Sequence, residues 1–235
     1  MKIQRYYSLR EDIDFIQQQH DHNCSVKLLA VTKKVPLEMI RLLHEETGHV
    51  DFGENNIVEL EEKAQVLKDC DLNWHFIGPL QSNKIKSICR NASWVQSLSK
   101  KKHADHINRH AEYYEKQMQV LLQYNISSEP QKNGVCSFEE LMELAEHVSK
   151  LPHITLRGLS GMASKTASTH MIQAQFNFAS DCFKALKEKY ISIDTLSLGM
   201  SGDYPIAIEC GSNMVRVGSF LFSESSISNH HRRAA

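Results

Sequence analysis

Thr195-Leu196-Ser197-Leu198-Gly199-Met200-Ser201-Gly202-Asp203, a short helical run, and then Gly211-Ser212-Asn213-Met214-Val215-Arg216-Val217-Gly218-Ser219 form the stretch that decides the fold. Thr195 to Leu198 and Met214 to Val217 read as short apolar strands, with Tyr204 to Cys210 as the helix between them. Each strand runs into a loop of glycine and serine. A strand, a helix and a second apolar strand in immediate succession imply parallel pairing with the helix outside the sheet.

The same rhythm runs back through the chain. An amphipathic helix over Arg5 to Gln18 precedes the first apolar run, Val26 to Val31, and Pro36 then opens a helix that continues through Glu46. Strands follow at His49 to Phe52, Trp74 to Ile77, Trp94 to Ser97, Val120 to Asn125 and Thr155 to Leu159. Helices follow at Asn56 to Lys68, Asn83 to Arg90, Lys102 to Glu115, Ser137 to Lys150 and His170 to Lys189. Ser137 with Glu140 three residues on is a capping box. Eight strands in alternation with helices leave an open doubly wound sheet or a closed barrel, and the count of eight favours a single (β/α)8 TIM barrel with an extra N-terminal helix.

The bulk properties agree. The chain has 235 residues, 41% hydrophobic and 23% charged, enough for one sizeable core. We expect that barrel over residues 1–222 and a frayed tail over 223–235, where the pattern dissolves into serine, histidine and arginine. Lys and Arg (27) balance Asp and Glu (28) without a basic stripe, so nucleic acid is not expected as a partner. No signal peptide or run of apolar residues long enough for a membrane span occurs, which predicts a cytoplasmic protein; a monomer is expected. Six separated cysteines read as reduced, mostly buried thiols, and no metal site is expected from them. His103, His106 and His110 are read as a solvated helix face.

In such barrels the chemistry sits where the strands end, and a phosphate commonly docks at the last two loops. Gly199, Gly202 and Gly218 would let the backbone approach an anion, and Ser201 and Ser219 add hydroxyl donors. Singly these residues are ordinary turn formers, but the two loops together suggest a phosphate cradle. At the end of the first strand stand Lys33 and Lys34, and alternation allows only one of them to share the inward face with Val31; that one is Lys33. A lysine amine in a partly desolvated mouth is suited to forming a Schiff base with a carbonyl ligand. Arg216 lies within the last apolar strand and needs a fixed partner, either a buried carboxylate or a pyridine nitrogen beside a bound phosphate.

These residues resemble the YggS-like pyridoxal phosphate homeostasis proteins, also called the PROSC family. The resemblance rests on Ala30 to Lys33, Phe52-Gly53-Glu54-Asn55, the block Trp74 to Lys84, Asn125-Ile126-Ser127 and the two C-terminal loops, and spans about Lys27 to Phe222. It implies a barrel like the N-terminal domain of alanine racemase and of the fold-type III decarboxylases, and pyridoxal 5′-phosphate (PLP) as cofactor. It makes Lys33 the aldimine lysine, Ser201, Gly218 and Ser219 phosphate ligands, and Arg216 the partner of the pyridine nitrogen. Asn55 and His75 should line the same pocket, although Asn55 could instead cap a helix and His75 could be a core histidine satisfied by backbone. The chain departs from the family pattern at Asn56 (commonly Tyr), Ser160 (commonly Met), Gly202 (acidic or small) and Ser219 (frequently Thr).

The resemblance further implies a non-catalytic protein of PLP homeostasis that hands the cofactor to apo PLP-dependent enzymes, with an indirect effect on amino-acid and keto-acid balance. An arginine at the pyridine nitrogen weakens the ring as an electron sink, and the expected chain stops just after strand eight, without the second domain of the racemases. The rivals are a weak PLP-dependent amino-acid racemase and a Schiff-base aldolase. Reversible aldimine exchange through Lys33, or through a second lysine such as Lys132 or Lys84, is the only chemistry such a protein needs.

Overall fold

The computed structural model describes residues 2–20, 25–165 and 167–223. The expected tail, apart from Ser223, and Cys24 lie outside the described residues. The opening helix α1 (Lys2–Gln19) buries Arg5, Leu9 and Ile13, a stripe at four-residue spacing. Then β1 (Lys27–Val31), α2 (Leu37–Thr47), β2 (Asp51–Glu54), α3 (Ile57–Val66), β3 (Asn73–Phe76) and α4 (Ile85–Asn91) alternate, with one 3-10 turn at Lys68–Cys70. The sequence continues through β4 (Trp94–Leu98), α5 (Lys101–Tyr113), β5 (Met118–Tyr124), α6 (Phe138–Ser149), β6 (Ile154–Gly161) and α7 (Thr169–Lys189). It closes with β7 (Thr195–Ser197), α8 (Tyr204–Glu209), β8 (Met214–Val217) and the single turn α9 (Ser219–Phe222).

All eight strands pair in parallel and in chain order, and β8 returns to β1 with Leu29 beside Arg216 and Ala30 beside Val217. The barrel is therefore closed, as the strand count implied, and every strand loses its free edge. Helices cover the outside, and the Ser137 half of the expected capping box is present, Ser137 Oγ accepting the Glu140 N–H, whereas the Glu140 carboxylate reaches one residue further back and accepts the Cys136 N–H.

Boundaries differ where the chain must turn before it can pair. β2 starts at Asp51 and not at His49, because α2 ends on Gly48 in the left-handed region (φ 68°), whose N–H caps His44 O. His49 then packs on Phe52 and hydrogen-bonds to Asp51 O. β6 runs two residues further than Leu159, to Gly161, and brings Ser160 to the barrel interior.

Two part-buried contacts anchor α1. Asp12 accepts a hydrogen bond from Tyr204 of α8, and Arg5 donates to Ser223 O (2.6 Å) just past α9. Of the described cysteines, Cys70, Cys89, Cys182 and Cys210 are buried and Cys136 is exposed. The three histidines of α5 are half-buried and so less solvated than expected. Among the described residues no helix is long and apolar enough to cross a membrane.

Candidate functional site

A cavity of about 430 Å³ opens at the C-terminal ends of the strands and brings together Lys33, Asn55, Ser201, Arg216, Gly218 and Ser219. Its size is that of an ordinary small-molecule site.

Lys33 reaches it through a tight turn. Thr32 O accepts the Val35 N–H (2.9 Å), and Lys34, the third residue of that turn, sits in the left-handed region (φ 59°). The turn sends Lys33 to the cavity and keeps Lys34 out of its lining, as alternation predicted. Desolvation is not found: β1 ends at Val31, two residues earlier, and Lys33 is exposed at the open rim.

A buried ionic cluster fastens this turn from behind. The Lys63 ammonium, 5% exposed, donates to Thr32 O (2.8 Å), Glu54 Oε1 (2.6 Å) and Glu59 Oε2 (2.9 Å). Glu59 Oε2 also accepts the Lys34 N–H (2.7 Å), offsetting the roughly 1 kcal/mol strain of a non-glycine residue in that conformation. Burial pushes the Glu54 carboxyl above its ordinary range against the pull of Lys63 and Thr32, and its Oε2 is buried with no partner among the described residues. Glu59 is held below its range despite burial, by Lys63 and the Lys34 N–H.

On the neighbouring wall, at the ends of β7 and β8, Ser219 Oγ donates to Ser201 Oγ (3.0 Å), so the two expected hydroxyls meet. Gly218 could carry no side chain, since a Cβ there would lie 2.7 Å from Val31 O; the loop rests on the end of β1. Gly202 lines the cavity with open space around its Cα. Gly199 does not line it: its φ of 87° and close contact with Ala207 and Tyr204 make it a packing and turn residue.

Arg216 lines the cavity floor while 7% exposed. Neither expected partner type holds its guanidinium: Nη1 donates to Ser197 O (2.6 Å) and Ser197 Oγ (2.7 Å), and Nη2 to Gly161 O (2.8 Å). Burial lowers its pKa to about 10, with Asp203 opposing that shift, so it stays a cation at neutral pH. Three of five N–H groups are engaged by these bonds.

One expectation needs correction. His75 does not line the cavity; it is 1% exposed below the floor, stacked on Trp94 and bonded to Gln96 and Asp51 side chains, not to backbone. Burial lowers its pKa against the pull of Asp51. Asn55 lines the cavity, and the cap of α3 is its neighbour Asn56, whose Oδ1 accepts the Val58 N–H (2.8 Å). That capping bond gives the departure at Asn56 its own local role.

The second lysines also differ from expectation. Lys132 is tied to Ala163 O (2.8 Å) and Glu129 (3.1 Å), and Lys84 is exposed at the start of α4; neither lines the cavity. Lys165, in the loop after β6, does. The reading also missed Gln96 and Gln123, polar residues inside apolar strands that both face the cavity. The signal that singled out Arg216, polarity within a buried strand, applied to them equally.

The family description "Alanine racemase, N-terminal domain" matches residues 6–226. The chain is 41% identical over 211 residues to the pyridoxal phosphate homeostasis protein of Pasteurella multocida, covering 88% of this chain and 90% of that one. It is 37% identical over 238 residues to the protein of the same name from Haemophilus influenzae, covering 96% and 100%. Among solved structures, PipY of Synechococcus elongatus with PLP bound matches with a TM-score of 0.83 at 29% identity, over 94% of this chain and all (100%) of that one. With the closed barrel and these likenesses in agreement, the chain belongs to the family of pyridoxal phosphate homeostasis proteins, built on the alanine racemase N-terminal domain.

Proposed function

We propose that this protein binds PLP and holds it for delivery to apo PLP-dependent enzymes, with little or no turnover of a substrate. One observation carries the reading: a single cavity joins an exposed lysine amine, a buried guanidinium with N–H groups to spare and a glycine–serine cradle. The donors suit the ligand. Ser201, Ser219 and the backbone at Gly202 and Gly218 would hold the phosphate, Arg216 the pyridine nitrogen and Lys33 the aldehyde carbon, with Asn55 along the wall. When bound, the cofactor supplies an aldehyde that links reversibly to an amine and a ring able to accept electrons.

The chain's own residues favour holding over turnover. Arg216 keeps its protons and so leaves the ring nitrogen unprotonated. No Asp, Glu, His, Cys or Tyr is among the described cavity-lining residues; the proton carriers besides Arg216 are the amines of Lys33 and Lys165. That relatives bear the name of homeostasis proteins supports the same reading.

Colour tests it. Protein mixed with PLP and desalted turns yellow through covalent attachment, and Lys33→Ala loses the band while keeping its fold by circular dichroism; a colourless wild type overturns the reading. Steady chiral conversion of single L-amino acids by the yellow protein would replace holding by racemisation. We further read the protein as a cytosolic monomer that meets recipients transiently. Light scattering checks the mass, and faster reactivation of an apo-aminotransferase in direct mixture than across a dialysis membrane checks delivery.

A further inference from the structure

Beneath the cavity floor, side chains from five strands join in one hydrogen-bonded line across the barrel. Arg216 Nη1 donates to Ser197 Oγ (2.7 Å), Ser197 Oγ donates to Gln96 Oε1 (2.8 Å), and Gln96 Nε2 donates to His75 Nδ1 (3.0 Å). His75 Nε2 faces Asp51 Oδ1 at 3.4 Å. The line starts at a buried cation and ends at a carboxylate whose side chain is 27% exposed.

Its polarity is fixed. The Ser197 oxygen already accepts from Arg216, so its proton needs an acceptor, and Gln96 Oε1 provides it. The Gln96 amide N–H then requires His75 Nδ1 as an acceptor, which puts the imidazole proton on Nε2, toward Asp51. A reversed amide would strand the Ser197 proton and set a bare Nε2 lone pair against the carboxylate. With every donor aimed the same way, each bond polarises the next.

No carboxylate lies within ion-pair distance of Arg216 among the described ion pairs, although Asp203 acts on it through space. We propose that Gln96 and His75 are positioning residues for Arg216: through Ser197 they orient its guanidinium toward the cavity and connect it to Asp51 as a remote counter-charge. Gln96 also lines the cavity, so it is the point at which the line meets the ligand. The ligand-binding part of this inference rests on the PLP reading, whereas the relay itself does not.

The test has two arms, on the full chain. In ligand-free protein, nitrogen NMR should show His75 protonated on Nε2, and Asp51→Asn, which keeps an acceptor oxygen but removes the charge, should shift the Arg216 guanidinium signals. In Gln96→Leu protein, Asp51→Asn should no longer move them. Arg216 signals that ignore Asp51→Asn, or a shift that survives Gln96→Leu, overturn the relay. With PLP, Asp51→Asn and Gln96→Leu should each move the visible band and weaken binding, the latter about fivefold. An unchanged band and affinity in both overturn the positioning role. A wild type without any Lys33-dependent band would sink the PLP reading alone, since the ligand-free arm still decides the relay; if Gln96→Leu does not fold, Asp51→Asn decides both arms.

Discussion

Among the described residues, the buried cations Lys63 and Arg216 are satisfied in opposite ways. The Lys63 ammonium has three donors and three acceptors, two of them carboxylates. The Arg216 guanidinium has five donors, and the three bonds that fix it go to two carbonyls and a hydroxyl. A cation whose donors and charge are matched internally fastens one piece of chain to another; here it secures the turn that carries Lys33. A cation held by neutral groups, with donors left over and a cavity in front of it, is ready for a ligand. Burial and charge alone do not separate these roles; the count of acceptors does.

The largest effect expected from breaking this contrast is on stability. Lys63→Met strips Glu54 of its counter-charge in a fully buried place and should destabilise the fold by about 3–5 kcal/mol in urea unfolding. A loss under about 1 kcal/mol would mean that Glu54 simply takes up a proton and the cluster fastens nothing. Arg216→Lys keeps the charge but not the planar fork, so PLP affinity should fall tenfold or more, worth about 1.5–3 kcal/mol, in equilibrium dialysis. Equal affinity for PLP would place Arg216 with Lys63 as a structural cation.

Acid sharpens the comparison further. His49 and His75 are pushed below their ordinary value of 6.5 by burial, so the folded state binds fewer protons than the unfolded chain. Their contribution is complete above that value and is lost as the pH falls from it toward the folded values, by up to about 1.4 kcal/mol per pH unit for each histidine. Within the Lys63 cluster the signs oppose: the raised Glu54 favours the fold less as pH rises through its window, and the lowered Glu59 favours it less as pH falls. Unfolding measured at several pH values should therefore show a histidine limb that His75→Asn reduces and Lys63→Met leaves in place. The smallest effect belongs to the cradle: Ser219→Ala should weaken PLP binding by about 0.5–1.5 kcal/mol and leave the unfolding midpoint unchanged.

Much of this was legible in the chain itself. Apolar runs set at regular intervals by helical segments led to eight strands, and closure followed from their number. Lys33 over Lys34 came from alternation, and the paired serines from their loops. What stayed hidden depends on the partner strand. His75 pairs with Trp94, two residues before Gln96 on β4, and only the barrel's register shows that His75 closes the floor while Gln96 opens on the cavity. The split of tasks between Asn55 and Asn56 depends on a single residue of helix boundary, a distance at which pattern reading has no leverage. Lys165 belongs to a loop whose path only the folded barrel defines.

Because β1 pairs with β8, the lysine and the cradle come from opposite ends of the chain and meet at one seam. A nascent chain emerging from the ribosome carries Lys33 long before Ser201, Arg216 and Ser219 exist. Until the last strand is made, the amine has neither the cradle beside it nor the guanidinium floor, so cofactor capture reports that synthesis has reached the end of the barrel.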